Sequence, residues 1–105
     1  MARTHERRQL ALGAHVRSVK TKLNLSLADI STTGCRVVGI LDNIQEGELI
    51  TIRPEGLGEF ATAVVWVEGN MAGLEFDFPI HPEIVDCLCR LYPPDGRKLE
   101  ATLAA

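Results

Sequence analysis

The sequence lacks the features that several large classes of protein need. No run of about 18 apolar residues is present to span a membrane as a helix, and no apolar segment of signal-peptide length follows the charged N-terminus. The three cysteines, Cys35, Cys87 and Cys89, are too few for a disulfide framework, and no second Cys or His pair lies at zinc-ligand spacing. We therefore expect a cytoplasmic protein with reduced thiols, no metal, no cofactor and no membrane-inserted segment.

Signatures of catalysis are also missing. Ser31 is not in the sequence context of a nucleophile elbow, and no histidine lies near it in the chain to act as its base. No glycine-rich loop opens a helix, as a site for nucleoside triphosphates would require. The histidines resemble surface or capping groups, and His81 directly precedes Pro82. The sequence therefore predicts no catalytic residues and no enzyme activity.

Charge is distributed unevenly along a chain whose net charge is −3. In residues 1–22, six basic side chains stand against Glu6 alone, which gives this part a charge of +5. The remainder has 5 basic and 13 acidic side chains, a charge of −8. Because duplex recognition usually needs a basic face, an acidic body with a basic arm disfavours DNA or RNA as a partner. It fits the local capture of a small anion better.

Apolar and polar residues alternate in short segments, as in half-buried strands. The predicted strands are Leu10–Arg17, Leu23–Ala28, Cys35–Ile40, Glu48–Arg53, Phe60–Val67 and Met71–Phe78. Glycine, proline and polar residues separate them, and no helical pattern lies between them. Six short strands at this spacing predict an all-β fold, a small closed or nearly closed antiparallel barrel.

The periodicity changes after the sixth strand. Pro82 suits the first position of a helix, and Ile84, Leu88 and Leu91 then follow at i, i+4 and i+7. This spacing predicts one apolar face of a three-turn helix. We expect the helix to cover a barrel opening or an exposed sheet face, and residues 92–105 to form a tail.

Two polar stretches carry the chemistry. Arg3-Thr4-His5-Glu6-Arg7-Arg8 places three guanidinium groups before the first strand, and Asp29-Ile30-Ser31-Thr32-Thr33-Gly34 forms a turn after the second. Arginine pairs with phosphate oxygens or with guanine O6 and N7, and it stacks on purines. Asp29 is suited to accept hydrogen bonds from a guanine N1–H and amino group. The Ser31 hydroxyl can donate a hydrogen bond to the ligand or accept one from it. Gly34 lets the backbone turn without a Cβ that would block the base.

These stretches resemble the two motifs of the PilZ domain, the bacterial receptor module for cyclic di-GMP. Two arginines separated by three residues, Arg3 and Arg7, match the first motif, and Asp29-x-Ser31-x-x-Gly34 matches the second at the family's separation. The resemblance covers roughly residues 3–91. It implies a six-stranded antiparallel Greek-key barrel of the split type with one C-terminal α-helix. The implied organisation is a flexible basic arm over residues 1–9, the barrel and helix over 10–91, and the tail over 92–105.

The resemblance also implies a function, namely binding of cyclic di-GMP and signalling to an effector protein. The implied ligand-binding residues are Arg3, Arg7, Asp29, Ser31 and Gly34, with Arg8 as an auxiliary phosphate contact. The hypothesis is that a mobile arm folds over the barrel when it meets the ligand. Two alternatives stay open: a degenerate PilZ-like protein-interaction module that binds no nucleotide, and an arm that binds nucleic acid or membranes nonspecifically. In the simplest alternative, the arginines are solvated, and Asp29 and Ser31 only cap a turn.

Overall fold

A computed structural model describes residues 7–94, which form a closed barrel of six antiparallel strands followed by one helix. The elements are β1 (Arg8–Arg17), β2 (Lys22–Ile30), β3 (Gly34–Val38), β4 (Leu49–Pro54), β5 (Phe60–Glu68), β6 (Met71–Phe76) and α1 (Pro82–Leu91). Around the barrel the strands follow the order β1-β2-β3-β6-β5-β4, and β4 pairs with β1 to close it. The predicted six-stranded barrel with a C-terminal helix is confirmed, and each element ends within two residues of its predicted bounds.

The two ends of the barrel differ in their connections. Because β3 and β4 are not neighbours, residues 39–48 cross the end where β1 turns into β2, which we call the upper end. Ile44 in this crossing is 6% exposed and closes that end of the core. At the lower end, residues 31–33 connect β2 to β3, and β6 leads into α1. The lower end holds the second predicted motif.

The interior of the barrel is filled by alternate side chains from every strand. Leu10, Leu27, Val37, Ile52 and Leu74 are each no more than 2% exposed, as the period-two pattern predicts. The three cysteines are free thiols, and burial raises the pKa of the Cys35 thiol far above its usual value, so that it packs as a small apolar side chain.

Three strands are bulged along one row of neighbouring positions near the lower end. The register shifts fall between Gln9 and Leu12 in β1, Leu27 and Asp29 in β2, and Val64 and Trp66 in β5. An extra residue changes which face the following side chains take. In β2 the bulge turns Asp29 outward and Ile30 into the core, so a carboxylate is kept out of the apolar interior. In β5 the bulge sets Trp66 opposite Gly73.

The helix begins as predicted but buries a different face. The His81 ring accepts a hydrogen bond from the Glu83 N–H at 3.0 Å, and Pro82 stands at the first position. The prediction that Ile84 and Leu91 share a core face with Leu88 is wrong for those two residues. Val85, Leu88 and Cys89 are buried, whereas Ile84 is 43% and Leu91 39% exposed.

A hydrogen bond at the β1 bulge ties the end of the helix to the barrel. The bulge leaves the Ala11 N–H without a ladder partner, and it donates to the Tyr92 carbonyl at 2.9 Å. The chain directly after α1 is thereby tied to β1. This bond joins segments far apart in the chain.

Gly34 provides a test of the packing at the lower end. A Cβ on Gly34 would collide with the backbone carbonyl oxygen of Leu74, because β3 and β6 approach closely there. Gly34→Ala should lower the free energy of unfolding by about 1–3 kcal/mol, as overpacking does in a tight interior. Urea denaturation measures this loss. Gly58→Ala, with open space around its Cβ, is the matched control; equal losses for both variants would contradict the assignment.

Candidate functional site

The centre of the lower end is the carboxylate of Asp29, which binds two arginines. Its Oδ1 accepts a hydrogen bond from Arg7 Nη1 at 2.6 Å, and its Oδ2 accepts one from Arg36 Nε at 2.8 Å. The Asp29 side chain is only 11% exposed, whereas that of Arg7 is 50% exposed. The pair with Arg7 joins the first predicted motif to the second across 22 positions of sequence. The carboxylate therefore acts as an anchor for both guanidinium groups.

Arg36 was not among the residues predicted from the sequence. It lies on β3 directly opposite Asp29, and its Nη1 also reaches the Met71 sulfur at 3.1 Å. An unbulged hairpin would not set Asp29 and Arg36 opposite each other, so the spacing of residues conceals the pair. The only sequence feature that indicates a role for Arg36 is its position two residues after Gly34, on the same face of a strand.

Ser31 and Gly34 shape the turn that supports this anchor. The Ser31 hydroxyl is 1% exposed and accepts hydrogen bonds from the N–H groups of Thr33 and Gly34, each at 3.2 Å. The Thr33 carbonyl accepts from the Phe76 N–H at 2.8 Å, which ties the turn to β6. A direct contact of Ser31 with a ligand stays a prediction. Gly34 is required here by the close approach of Leu74.

A groove runs over the outer face of β3, β6 and β5 beside this anchor. It has a cavity volume of about 180 Å³, and Arg7 and Gly34 line it together with Trp66, Gly73 and Glu75. The Trp66 indole lies over Gly73, where any Cβ would collide with it. The groove thus combines an aromatic side chain, one guanidinium group and one carboxylate.

Comparison with known proteins agrees with this architecture. The family model of the PilZ domain matches residues 2–92. The chain belongs to the PilZ domain family. PilZ domains are receptors for cyclic di-GMP and act as binding modules rather than catalysts. No curated protein sequence matches the chain.

A solved structure shares the fold of this PilZ domain. It is described as the structure of Bacillus subtilis Inhibitor of motility (MotI/DgrA). The TM-score is 0.62 at 17% sequence identity, and the match covers 95% of this chain and 53% of that one. The chain therefore spans about half the length of this relative, and the likeness concerns the fold.

Metal sites and membrane-spanning helices are other features that bear on function. Within residues 7–94, no group of three or more His, Cys, Asp or Glu side chains is placed to hold a metal ion. The same part of the chain contains no helix long and apolar enough to cross a membrane.

The remaining predicted site residues are Arg3 and Arg8. Arg3 lies outside the described residues. Arg8 is in β1, and its Nη1 donates to Asp86 Oδ1 on α1 at 2.8 Å. Asp86 also accepts from Arg90 Nε at 3.0 Å. Arg8 therefore links the start of the barrel to the helix, and its contact with a ligand phosphate stays a prediction.

The pKa of Asp86 tests this link. It lies below its ordinary value, chiefly because Arg8 donates a hydrogen bond to the carboxylate and so favours its charged form. Arg8→Ala should therefore raise the pKa of Asp86, as followed by carboxyl ¹³C NMR between pH 2 and 6. Arg17→Ala, at the other end of β1, is the control. An Asp86 pKa that is the same in both variants would show that the link is absent in solution.

Proposed function

We propose that this PilZ domain binds cyclic di-GMP at the lower end of its barrel and passes the signal to a partner protein. The observation that carries this proposal is the ion pair between Arg7 and Asp29, which brings together residues of both family motifs. The ligand has two phosphates and two guanines, which are the groups that arginine recognises well.

The Arg7 guanidinium group has N–H donors that Asp29 does not use and that could bind a ligand. Asp29 accepts from its Nη1, while a guanidinium group carries five N–H donors in a fixed fork. Half of the Arg7 side chain is exposed, and it lines the groove. Asp29 fixes one edge of the fork, so that less conformational entropy is lost when the other donors meet a phosphate or a guanine.

The carboxylates divide into two roles in this proposal. Asp29 is nearly buried and binds an arginine with each oxygen, which supports a role in positioning Arg7 and Arg36. The exposed Glu75 lines the groove beside Arg7 and Trp66. A carboxylate in such a place can accept from the N1–H and amino groups of guanine, and the indole offers a surface on which a base can stack.

The charge of the described site supports a role for Arg3. Among the described residues, Arg7 and Arg36 are balanced by Asp29 and Glu75. A ligand with two phosphates requires additional positive charge, and Arg3 lies four positions before Arg7 in the first motif. We therefore assign the second phosphate contact to Arg3.

Isothermal titration of the full chain with cyclic di-GMP tests the proposal. Arg7→Ala should weaken binding tens-fold, since each charge-assisted hydrogen bond contributes about 1.5–3 kcal/mol, and Arg3→Ala combined with Arg7→Ala should weaken it further. Arg53→Ala, which removes an exposed arginine at the upper end, should bind as the wild type does. GTP serves as the control ligand and should give no comparable heat.

Two results would contradict the proposal. Wild-type affinity in the variant lacking Arg3 and Arg7 would separate binding from the first motif. A wild-type protein that binds no cyclic di-GMP would instead indicate a degenerate module that acts only through protein contacts.

A further inference from the structure

A second groove lies at the upper end of the barrel, away from Asp29. It crosses the outer faces of β1, β2 and β4 and has a cavity volume of about 400 Å³. Its lining includes His15, Arg17, Lys22 and Arg53, together with Glu59. Three permanent cations thus share a concave surface that the cyclic di-GMP site does not use.

The register of the strands makes this cluster unavoidable. Arg17 is paired with Lys22 on β2, and His15 is paired with Arg53 on β4. All four face outward, because the alternate residues of β1 and β4 fill the core. Lys22 and Arg53 form no ion pair within residues 7–94. The positive charge is therefore largely uncompensated.

Glu59 shows what kind of group this surface accepts. Its carboxylate lies 3.3 Å from Arg17 Nη1 and 3.5 Å from Nη2. Both side chains are about half exposed, so the pair contributes little to stability. Glu59 follows Gly58 in the loop between β4 and β5, and a carboxylate from another chain can replace it at small cost. Glu59 thus occupies the position of an incoming acidic residue.

Two exposed apolar residues lie close in sequence, or on the same strand face, to residues that line the groove. Val19, in the turn after β1, is fully exposed, and Leu49, at the start of β4, is 73% exposed. Leu49 precedes Thr51 by two residues on the outward face of β4, next to Arg17. A cationic groove flanked in sequence by exposed apolar residues matches a protein segment in which carboxylates alternate with apolar side chains.

Nucleic acid fits this surface less well. The chain has a pI of about 5.5 and a net charge of −3, whereas nucleic-acid-binding domains present an extended basic face. Outside a groove of about 400 Å³, the acidic body would repel a long phosphate backbone. A short acidic segment would contact only the cations of the groove and would not reach the acidic remainder of the surface.

We propose that the upper groove docks an acidic segment of a partner protein, with its carboxylates on Arg53, Lys22 and Arg17 and with Glu59 displaced. Because the groove and Asp29 are at opposite ends of the barrel, docking does not require cyclic di-GMP. The domain then has a constant docking surface at one end and a ligand-responsive one at the other.

A defined peptide tests the proposal on the full chain. The probe is the capped peptide Asp-Glu-Leu-Asp-Glu-Leu-Asp, titrated to millimolar concentration while ¹H–¹⁵N NMR follows each backbone amide. The amides around His15, Arg17 and Thr51 should shift, with and without saturating cyclic di-GMP. Arg53→Glu should weaken peptide binding about ten-fold or more, whereas Arg90→Glu, the same change on α1, should alter it by less than about two-fold.

Removing the internal carboxylate provides the opposite test. Glu59→Gln should tighten peptide binding by about two- to five-fold, because Arg17 no longer has a competing partner. Glu83→Gln, which removes the same charge from α1, should leave the affinity unchanged. The NMR spectrum of each variant also shows whether it is folded.

Several results would overturn the proposal. Equal weakening by Arg53→Glu and Arg90→Glu would show only diffuse electrostatics. No shift at the groove in the wild type, or no gain with Glu59→Gln, would remove the docking site. Stronger binding of an oligothymidylate of the same charge would assign the groove to nucleic acid, and loss of peptide binding with cyclic di-GMP would show that the two ends are not independent.

Discussion

The carboxylate of Asp29, shared between Arg7 and Arg36, is the interaction on which the candidate site depends. Two guanidinium groups meet at a side chain that is 11% exposed, where water competes weakly for its oxygens. Without this charge, two cations would stand close together with nothing between them. The bulge in β2 makes the arrangement possible, since it points Asp29 outward and aligns it with Arg36.

The closed barrel explains why function concentrates at its ends. Every strand has a partner on both sides, so within the described residues only short stretches lack a second partner, such as residues 22–25 of β2 on the side of β3. The charged groups lie on the outer face of the barrel and in the connections between strands. The lower end brings together Arg7, the turn at residues 31–33 and α1, whereas the upper end gathers cations from β1, β2 and β4. We interpret the domain as a rigid body with two separate surfaces.

Much of the fold could be predicted from the sequence, because a period of two and the turn residues between strands are local signals. The motif residues Arg7 and Asp29 could be predicted as partners in one site. Arg36 could not, since its pairing with Asp29 depends on a bulge. The buried face of α1 also differs from the prediction, because helical spacing alone does not say which apolar side chains, here Val85, Leu88 and Cys89, meet the barrel. Local patterns locate strands, and bulges decide which side chains meet.

Ser31 and Gly34 show that a motif residue can have a structural role. Both match the family pattern, and a ligand contact was predicted for each. In the structure the Ser31 hydroxyl bonds the turn, and Gly34 permits the contact with Leu74. A motif residue can thus contribute to the candidate site by shaping the turn between the strands that carry Asp29 and Arg36.

A double-mutant cycle with Asp29→Asn and Arg7→Ala, measured as affinity for cyclic di-GMP, tests the central claim most directly. If Asp29 acts by positioning Arg7, Asp29→Asn should weaken binding in the wild type and have little further effect once Arg7 is absent. Additive losses in the double variant would contradict the account, because they would show that Asp29 contributes to binding independently of Arg7.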